Sequence, residues 1–157
     1  MNKIALLLYN VRSAHNVGSI FRTADAAGVS KLYLTGYTPR PVDRFGRVQK
    51  EIAKTALGAE RSIAWEGAPS PSAIVSKLRR ARWEIVGVEQ DKRTRDYRTF
   101  ILKHPTLFVF GNEVRGLPKS LRDACDELIE IPMRGEKESL NVSVAAGIVL
   151  FRAVDSH

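Results

Sequence analysis

Three short polar segments carry most of the residues in this sequence that could perform chemistry. They span residues 10–18, 111–117 and 133–141, and two of them follow runs of large apolar residues directly. They are rich in Gly, Asn, Ser, Arg and Glu, which offer hydrogen-bond donors, acceptors and charge. Such groups can bind and orient a polar ligand, provided that the fold brings the segments together.

The first segment leads into a helical pattern. Asn16 is predicted to cap that helix, because a side-chain amide oxygen can accept a hydrogen bond from a free N–H of the first turn. Arg22 follows Gly18 by one helical turn, so the glycine would leave space beside the guanidinium. The alternative is a surface ion pair between Arg22 and Asp25, which would contribute less than about 1 kcal/mol.

The second segment begins with Gly111 at the end of an apolar run. A glycine at a strand end lets another backbone or a flat ligand approach closely. Glu113 and Arg115 in the same segment could act on a ligand, or could simply pair with each other. Neither the dinucleotide pattern G-x-G-x-x-G nor the phosphate-binding pattern G-x-x-x-x-G-K-[ST] occurs in the sequence.

The third segment ends in small polar residues just before an apolar helical stretch. If the chain is extended there, Ser139 and Asn141 lie on the same side of it and sit beside free N–H groups of the helix. Ordinary helix capping by either residue is the alternative. The stretch that follows is apolar nearly all round, which predicts a deeply buried helix.

Strands and helices alternate around these segments. Helices are predicted at 17–27, ending at Gly28, and at 71–82 and 118–125, and residues 67–72 are predicted to form a loop. Alternation indicates an α/β fold with a mostly parallel sheet covered by helices on both faces, whose ligands bind at the carboxyl ends of the strands. The predicted strands span residues 4–11, 31–35, 83–89, 106–110 and 127–132.

Composition limits the possible functions. The 157 residues suit one domain spanning 1–157, and a net charge of +8 favours a polyanionic partner such as RNA. No apolar run is long enough for a membrane span, and the single cysteine and absence of Cys/His spacing predict neither a disulfide nor a metal site. We expect a cytoplasmic protein. A nucleophilic role for Cys125 is the least favoured, because its neighbours indicate core.

Basic residues are concentrated in three clusters, at 40–54, 79–82 and 92–98. We expect the first cluster to contact RNA through Arg44, Arg47 and Lys50, because Phe45 lies among these charges and could stack on a base. The alternative is that all three clusters are solvated surface.

Together, the polar segments resemble three motifs of the SPOUT superfamily of RNA methyltransferases, in its SpoU/TrmH-like branch. The matching stretches are NVRSAHNVGSIFRTADAAG, LFVFGNEVRGL and IEIPMRGEKESLNVSVAAGIVLF, in the family's order. KTALGAE is also similar to a family segment. The resemblance covers nearly the whole chain, although many relatives carry an extra RNA-binding domain and a proline near residues 13 and 14.

This resemblance implies a deep trefoil knot in the C-terminal part of the fold, a homodimer whose sites are completed by the partner, and S-adenosylmethionine as cofactor. It implies methyl transfer to a ribose 2′-OH. The cofactor-binding positions would be Val88, Gly111, Ile131, Ser139 and Leu140. The catalytic positions would be Arg22, Asn16, Glu113, Ser139 and Asn141.

The resemblance leaves several points open. Arg22 could be the base or, since a guanidinium resists deprotonation, could hold a phosphate and stabilise the oxyanion. Asn16, Ser139 and Asn141 would orient the hydroxyl, and Glu113 would fix Arg22 or a main-chain amide. We expect tRNA rather than rRNA as substrate. Methylation of a base nitrogen and a non-catalytic RNA-binding role are the alternatives.

Overall fold

The computed structural model describes residues 2–156 and contains a sheet of seven parallel strands in the order β3-β2-β1-β6-β4-β7-β5. Strands β1 and β6 lie at its centre, paired from Ile4 with Thr106 to Leu8 with Phe110. The strands are β1 (Ile4–Tyr9), β2 (Lys31–Thr35), β3 (Ala64–Ala68), β4 (Glu84–Val88), β5 (Arg95–Asp96), β6 (Thr106–Phe110) and β7 (Glu127–Glu130).

Helices cover both faces of the sheet, because residues of the central strands alternate between the two sides. Leu6 and Leu8 pack in one apolar cluster with α1, α2, α3 and α6, whereas Leu7 packs in a second cluster with α4 and α5. The helices are α1 (Ala14–Ala27), α2 (Lys50–Ala56), α3 (Ala59–Ser62), α4 (Pro71–Arg80), α5 (Lys119–Ala124) and α6 (Val142–Val154), with a short 3₁₀ turn at Tyr97–Thr99. The predicted α/β architecture is confirmed.

Several boundaries differ from the sequence-based predictions. Strands β3 and β5 were not predicted, and the predicted loop at 67–72 is shorter than expected, since Gly67 and Ala68 complete β3, Pro71 begins α4, and only residues 69 and 70 lie between them. Ser70 caps α4 by accepting a hydrogen bond from the Ser72 N–H. The end of α1 at Gly28 is confirmed, with a left-handed φ of 77°.

Helix α6 is less buried than its apolar sequence predicts. Ala146 and Leu150 are fully buried against the core, but Val144 and Phe151 are 49% and 44% exposed. The prediction of deep burial is wrong for the single chain, because only one face of α6 packs on α1 and the sheet. The exposed apolar side of α6 can therefore pack against another protein surface.

The strand order is consistent with the expected knot. The chain inserts β6 between β1 and β4, and then inserts β7 between β4 and β5, before it forms α6. The knot itself stays a prediction. Across residues 2–156, no helix has the length and hydropathy that a membrane crossing requires.

Candidate active site

The loops that follow β1, β6 and β7 meet at the carboxyl edge of the sheet, as the parallel arrangement predicts. The contact between the first two is made by Glu113, which follows β6. Its carboxylate accepts hydrogen bonds from the N–H groups of Arg12 and Ser13, both at 2.9 Å, and from Asn16 Nδ2 at 3.3 Å. Glu113 therefore fixes main-chain amides of the first loop, and within residues 2–156 it forms no hydrogen bond or ion pair with Arg22.

Hydrogen bonding makes Glu113 more acidic than usual. Partial burial alone would raise the pKa of this carboxyl. The N–H donors of Arg12 and Ser13, with the amide of Asn16, outweigh that effect and leave the pKa of Glu113 below its ordinary value. The group is thus an anion at neutral pH and acts as an acceptor, holding the first loop in place.

The third loop joins this network through two amide side chains. Asn141 Nδ2 donates to Asn16 Oδ1 at 3.2 Å, while Asn141 Oδ1 caps α6 by accepting from the Ser143 N–H at 2.8 Å. The prediction that Asn16 caps α1 is wrong. Ser13 is the cap, accepting from the Asn16 N–H at 3.1 Å, which leaves the Asn16 side chain free to link Glu113 and Asn141.

A cavity of about 260 Å³ lies beside this network. It is bounded by the ends of β4 and β6 and by the second and third loops. All the predicted cofactor positions line it, namely Val88, Gly111, Ile131, Ser139 and Leu140. Asn141 is not part of its wall, so Ser139 and Asn141 contact different parts of the site.

The wall at Gly111 is formed by close backbone packing. A Cβ at Gly111 would lie 2.4 Å from the carbonyl carbon of Gly116. Glycine is therefore needed here because the two backbone segments pack directly against each other. Glu89 stabilises the same turn, since its carboxylate accepts from the Leu117 N–H at 2.7 Å and from the Gln90 N–H at 2.8 Å. Glu89 was not predicted as a site residue, although it directly follows a predicted position.

Arg22 lies outside the cavity and outside the Glu113–Asn16–Asn141 network. It is exposed on α1 and lines a groove with His15, Lys54 and Phe151 that has no lining residue in common with the cavity. The expected space beside Gly18 is not there, because a Cβ at Gly18 would lie 1.9 Å from Thr55 Oγ1. Gly18 instead allows α2 to pack tightly on α1.

The expected RNA contacts lie on a hairpin formed by residues 42–48, which we call the basic hairpin. Val42 and Val48 form an antiparallel bridge, and Phe45 at the tip is 66% exposed. The guanidinium carbons of Arg44 and Arg47 lie 4.7 Å and 5.0 Å from the Phe45 ring centroid. Arg47 is also paired with Asp43 at 2.8 Å, so part of its charge is compensated. Lys50 begins α2 next to the hairpin.

The last of the three basic clusters, at 92–98, is largely neutralised. Arg93 pairs with Asp91 and Asp123, Arg95 with Glu127, and Arg98 with Asp96. This pairing favours the basic hairpin over the 92–98 cluster as a polyanion contact.

Cys125 is not suited to nucleophilic chemistry. Burial raises the pKa of its thiol to about 11, which keeps it protonated at neutral pH. Among residues 2–156 there is no group of three or more His, Cys, Asp or Glu side chains placed to hold a metal ion.

Comparison with known proteins agrees with this architecture. Residues 3–151 match the model of the SpoU rRNA Methylase family. The chain belongs to that family. The resemblance derived from the three motifs is thereby confirmed.

Individual members of the family cover almost the whole chain. The chain is 34% identical over 151 residues to the 23S rRNA (guanosine-2′-O-)-methyltransferase RlmB of Ralstonia nicotianae, with 96% of this chain and 58% of the relative covered. The SpoU methyltransferase AviRb of Streptomyces viridochromogenes, solved in complex with the cofactor AdoMet, superposes with a TM-score of 0.85 at 31% identity, covering 98% of this chain and 60% of AviRb.

The TrmH/SpoU tRNA modifying enzyme of A. aeolicus superposes with a TM-score of 0.86 at 28% identity, covering 99% of this chain and 76% of the enzyme. The chain spans about 58% of the length of the curated relatives that it matches.

Proposed function

We propose that this chain is the catalytic part of an S-adenosylmethionine-dependent RNA methyltransferase that modifies a ribose 2′-OH in ribosomal RNA. One observation carries the proposal. The Glu113–Asn16–Asn141 network lies beside a cavity whose wall contains every position that the family resemblance assigns to the cofactor.

The cavity suits the chemistry of S-adenosylmethionine. Its volume of about 260 Å³ lies just below the range of about 300–1,000 Å³ for small-molecule sites, so the support comes from its lining. Val88, Ile131 and Leu140 offer apolar surface to a flat ring, and the carboxylates of Glu130 and Glu138 favour a cation such as the sulfonium. When bound there, the cofactor supplies an electrophilic methyl group.

The remaining catalytic tasks fall to residues of this chain. A ribose hydroxyl must be held in line with the methyl group and must lose its proton, and correct positioning alone can contribute several kcal/mol, up to about 7–11 in ideal cases. Asn16, Asn141 and Ser139 offer amide and hydroxyl groups to orient it. Arg22 is assigned to the adjacent phosphate and the developing oxyanion, because a guanidinium remains protonated and makes a poor base.

Arg22 reaches such a site only in a homodimer. Within one chain its groove is separate from the cavity, whereas the family resemblance implies sites completed by the partner subunit. The half-exposed apolar residues Val144 and Phe151 on α6 support a second copy on this face, and Phe151 lines the same groove as Arg22. We infer that each cavity works with Arg22 of the partner subunit.

The relatives favour ribosomal RNA over the tRNA expected from the sequence. Curated relatives in several genera carry the name 23S rRNA (guanosine-2′-O-)-methyltransferase. The relatives are longer than this chain, so the size of the chain does not indicate which RNA is the substrate.

The test is a transfer assay with tritiated S-adenosylmethionine and two acceptors, bulk bacterial rRNA and bulk tRNA. We expect label in rRNA from a strain that lacks the modification, and none in tRNA. Labelling of tRNA alone would reverse the substrate assignment, and no label in either RNA would contradict the methyltransferase assignment. The matched control is Asn141→Ala, which removes the link between the third loop and Asn16 and should abolish transfer.

A further inference from the structure

A second groove, of about 1060 Å³, adjoins the cavity on the side of the first loop. Its lining includes Arg12, Tyr37, Asn112 and Arg115, and residues 112–115 line both the groove and the cavity. A ligand in this groove would therefore lie next to a molecule held in the cavity. None of Arg12, Tyr37, Asn112 and Arg115 belongs to the positions that the family resemblance assigns.

Tyr37 is the unusual member of this wall, because it is 58% exposed and yet held at both ends. Its hydroxyl accepts a hydrogen bond from Asn112 Nδ2 at 2.9 Å, and its N–H donates to Asn10 Oδ1 at 3.0 Å. Asn10 takes a left-handed φ of 53°, and Gly36 before the tyrosine has a φ of 65°. A Cβ at Gly36 would lie 1.8 Å from Asn10 Oδ1, so this turn requires glycine.

The anchor of Tyr37 also organises the second loop. Asn112 Nδ2 donates to the Asn10 carbonyl at 2.9 Å, and Asn112 Oδ1 accepts from the N–H groups of Val114 and Arg115, both at 2.9 Å. An aromatic ring held in this way loses little conformational freedom when a flat molecule stacks on it.

Two guanidinium groups line the same groove as the Tyr37 ring and have no protein partner among the described residues. No ion pair or side-chain hydrogen bond within residues 2–156 involves the guanidinium of Arg12 or that of Arg115, whereas Arg93 and Arg98 are paired with carboxylates. The neighbouring Glu113 carboxylate is already occupied by N–H donors. Unpaired guanidinium groups beside an exposed aromatic ring are the chemistry that binds a nucleotide through its phosphate and its base.

We propose that this groove binds an unpaired nucleotide of the RNA substrate, with its base stacked on Tyr37 and its phosphates beside Arg12 and Arg115. The proposal rests on the methyltransferase function, because the groove places that nucleotide next to the methyl donor. It makes Tyr37 a positioning residue for substrate, and it requires the nucleotide to be single-stranded or turned out of its helix.

The test compares Tyr37→Phe, Tyr37→Leu and Tyr37→Ala in binding a fluorescein-labelled, mixed-sequence oligoribonucleotide, as a single strand and as a duplex with its complement. Loss of the ring in the Leu and Ala variants should weaken single-strand binding roughly 5- to 150-fold, the range for one stacked base. The Phe variant keeps the ring and should bind more tightly than the Leu variant. Duplex binding should not change, since paired bases are not available for stacking.

Equal losses in the Phe and Leu variants, or unchanged affinity in the Leu and Ala variants, would overturn the stacking proposal. Calorimetry with S-adenosylmethionine separates this result from failure of the proposed function. If wild-type protein does not bind the cofactor, the proposed methyltransferase function is wrong, independently of how the Tyr37 variants bind RNA. If wild type and Tyr37→Leu bind S-adenosylmethionine equally, a change in RNA affinity results from loss of the Tyr37 ring in the groove and not from damage to the cavity.

Discussion

Replacement of Glu113 by Gln tests whether the carboxylate holds the first loop. Glu113 accepts from two main-chain N–H groups, those of Arg12 and Ser13, and from Asn16. A glutamine has the same size but carries one oxygen and an NH₂ group, so one of the N–H donors would face another donor. The variant therefore removes an acceptor and a charge without creating a cavity.

Hydrogen bonds to charged groups contribute about 1.5–3 kcal/mol. For a protein of this size, each kcal/mol lowers Tm by about 2–4 °C, so we expect Glu113→Gln to lower Tm by roughly 3–12 °C at pH 7. The matched control is Glu66→Gln. Glu66 forms a surface ion pair with Lys31 at 3.1 Å, and its loss should cost less than about 1 kcal/mol.

The pH dependence gives an independent check by thermal denaturation followed by circular dichroism. The pKa of Glu113 is lower in the folded protein than in the unfolded chain, so its stabilising effect is complete at neutral pH. The effect is lost as pH falls below about 4.3, the ordinary pKa of glutamate. The difference in Tm between wild type and Glu113→Gln should therefore shrink in acid. A difference in Tm at pH 7 no larger than that of Glu66→Gln would show that the Glu113 carboxylate does not hold the first loop.

Three further variants test other parts of the site. Arg22→Ala should bind S-adenosylmethionine normally in calorimetry but lose methyl transfer by roughly 10²–10³-fold; near-normal turnover would remove Arg22 from the mechanism. Gly111→Val should weaken cofactor binding, because the side chain would collide with the Gly116 backbone; unchanged affinity in a folded variant would place the cofactor elsewhere. The double variant Arg44→Ala, Arg47→Ala should flatten the dependence of log K, the association constant for single-stranded RNA, on log salt concentration. Each lost phosphate contact changes the slope by about 0.7, so two arginines in one or both subunits change it by roughly 1–3. An unchanged slope would mean that the basic hairpin is only solvated surface.

The central strands could be predicted from the sequence because they consist almost entirely of large apolar residues. Strands β2 and β6 have the predicted bounds, since continuous apolar runs suit strands covered on both faces. The edge strands could not be predicted. Strand β5 has only two residues, and β3 includes Glu66 and Gly67, so both depend on pairing with a neighbour.

The site could be predicted in part. Polar segments after parallel strands indicated where it lies, but Glu113 contacts Arg12 across 101 positions of sequence, through the adjacency of β1 and β6. No periodicity reveals that adjacency. The same holds for Tyr37 and Asn112, whose contact depends on Asn10 in a left-handed conformation. The position of Arg22 away from the cofactor positions could be predicted, because the helical spacing of Val17, Ile20 and Phe21 marks the buried face of α1 and leaves Arg22 exposed.

Methyl transfer to ribose leaves the methyl group on the sugar, so the position of the methyl group in the product distinguishes it from methylation of a base. Ribosomal RNA that lacks the modification is incubated with the protein and deuterium-labelled S-adenosylmethionine, digested to nucleosides and analysed by mass spectrometry with fragmentation of the glycosidic bond. We expect the label to stay with the sugar fragment. Label on the base fragment would contradict this expectation, because the Glu113–Asn16–Asn141 network would then serve a ring nitrogen instead of a 2′-OH.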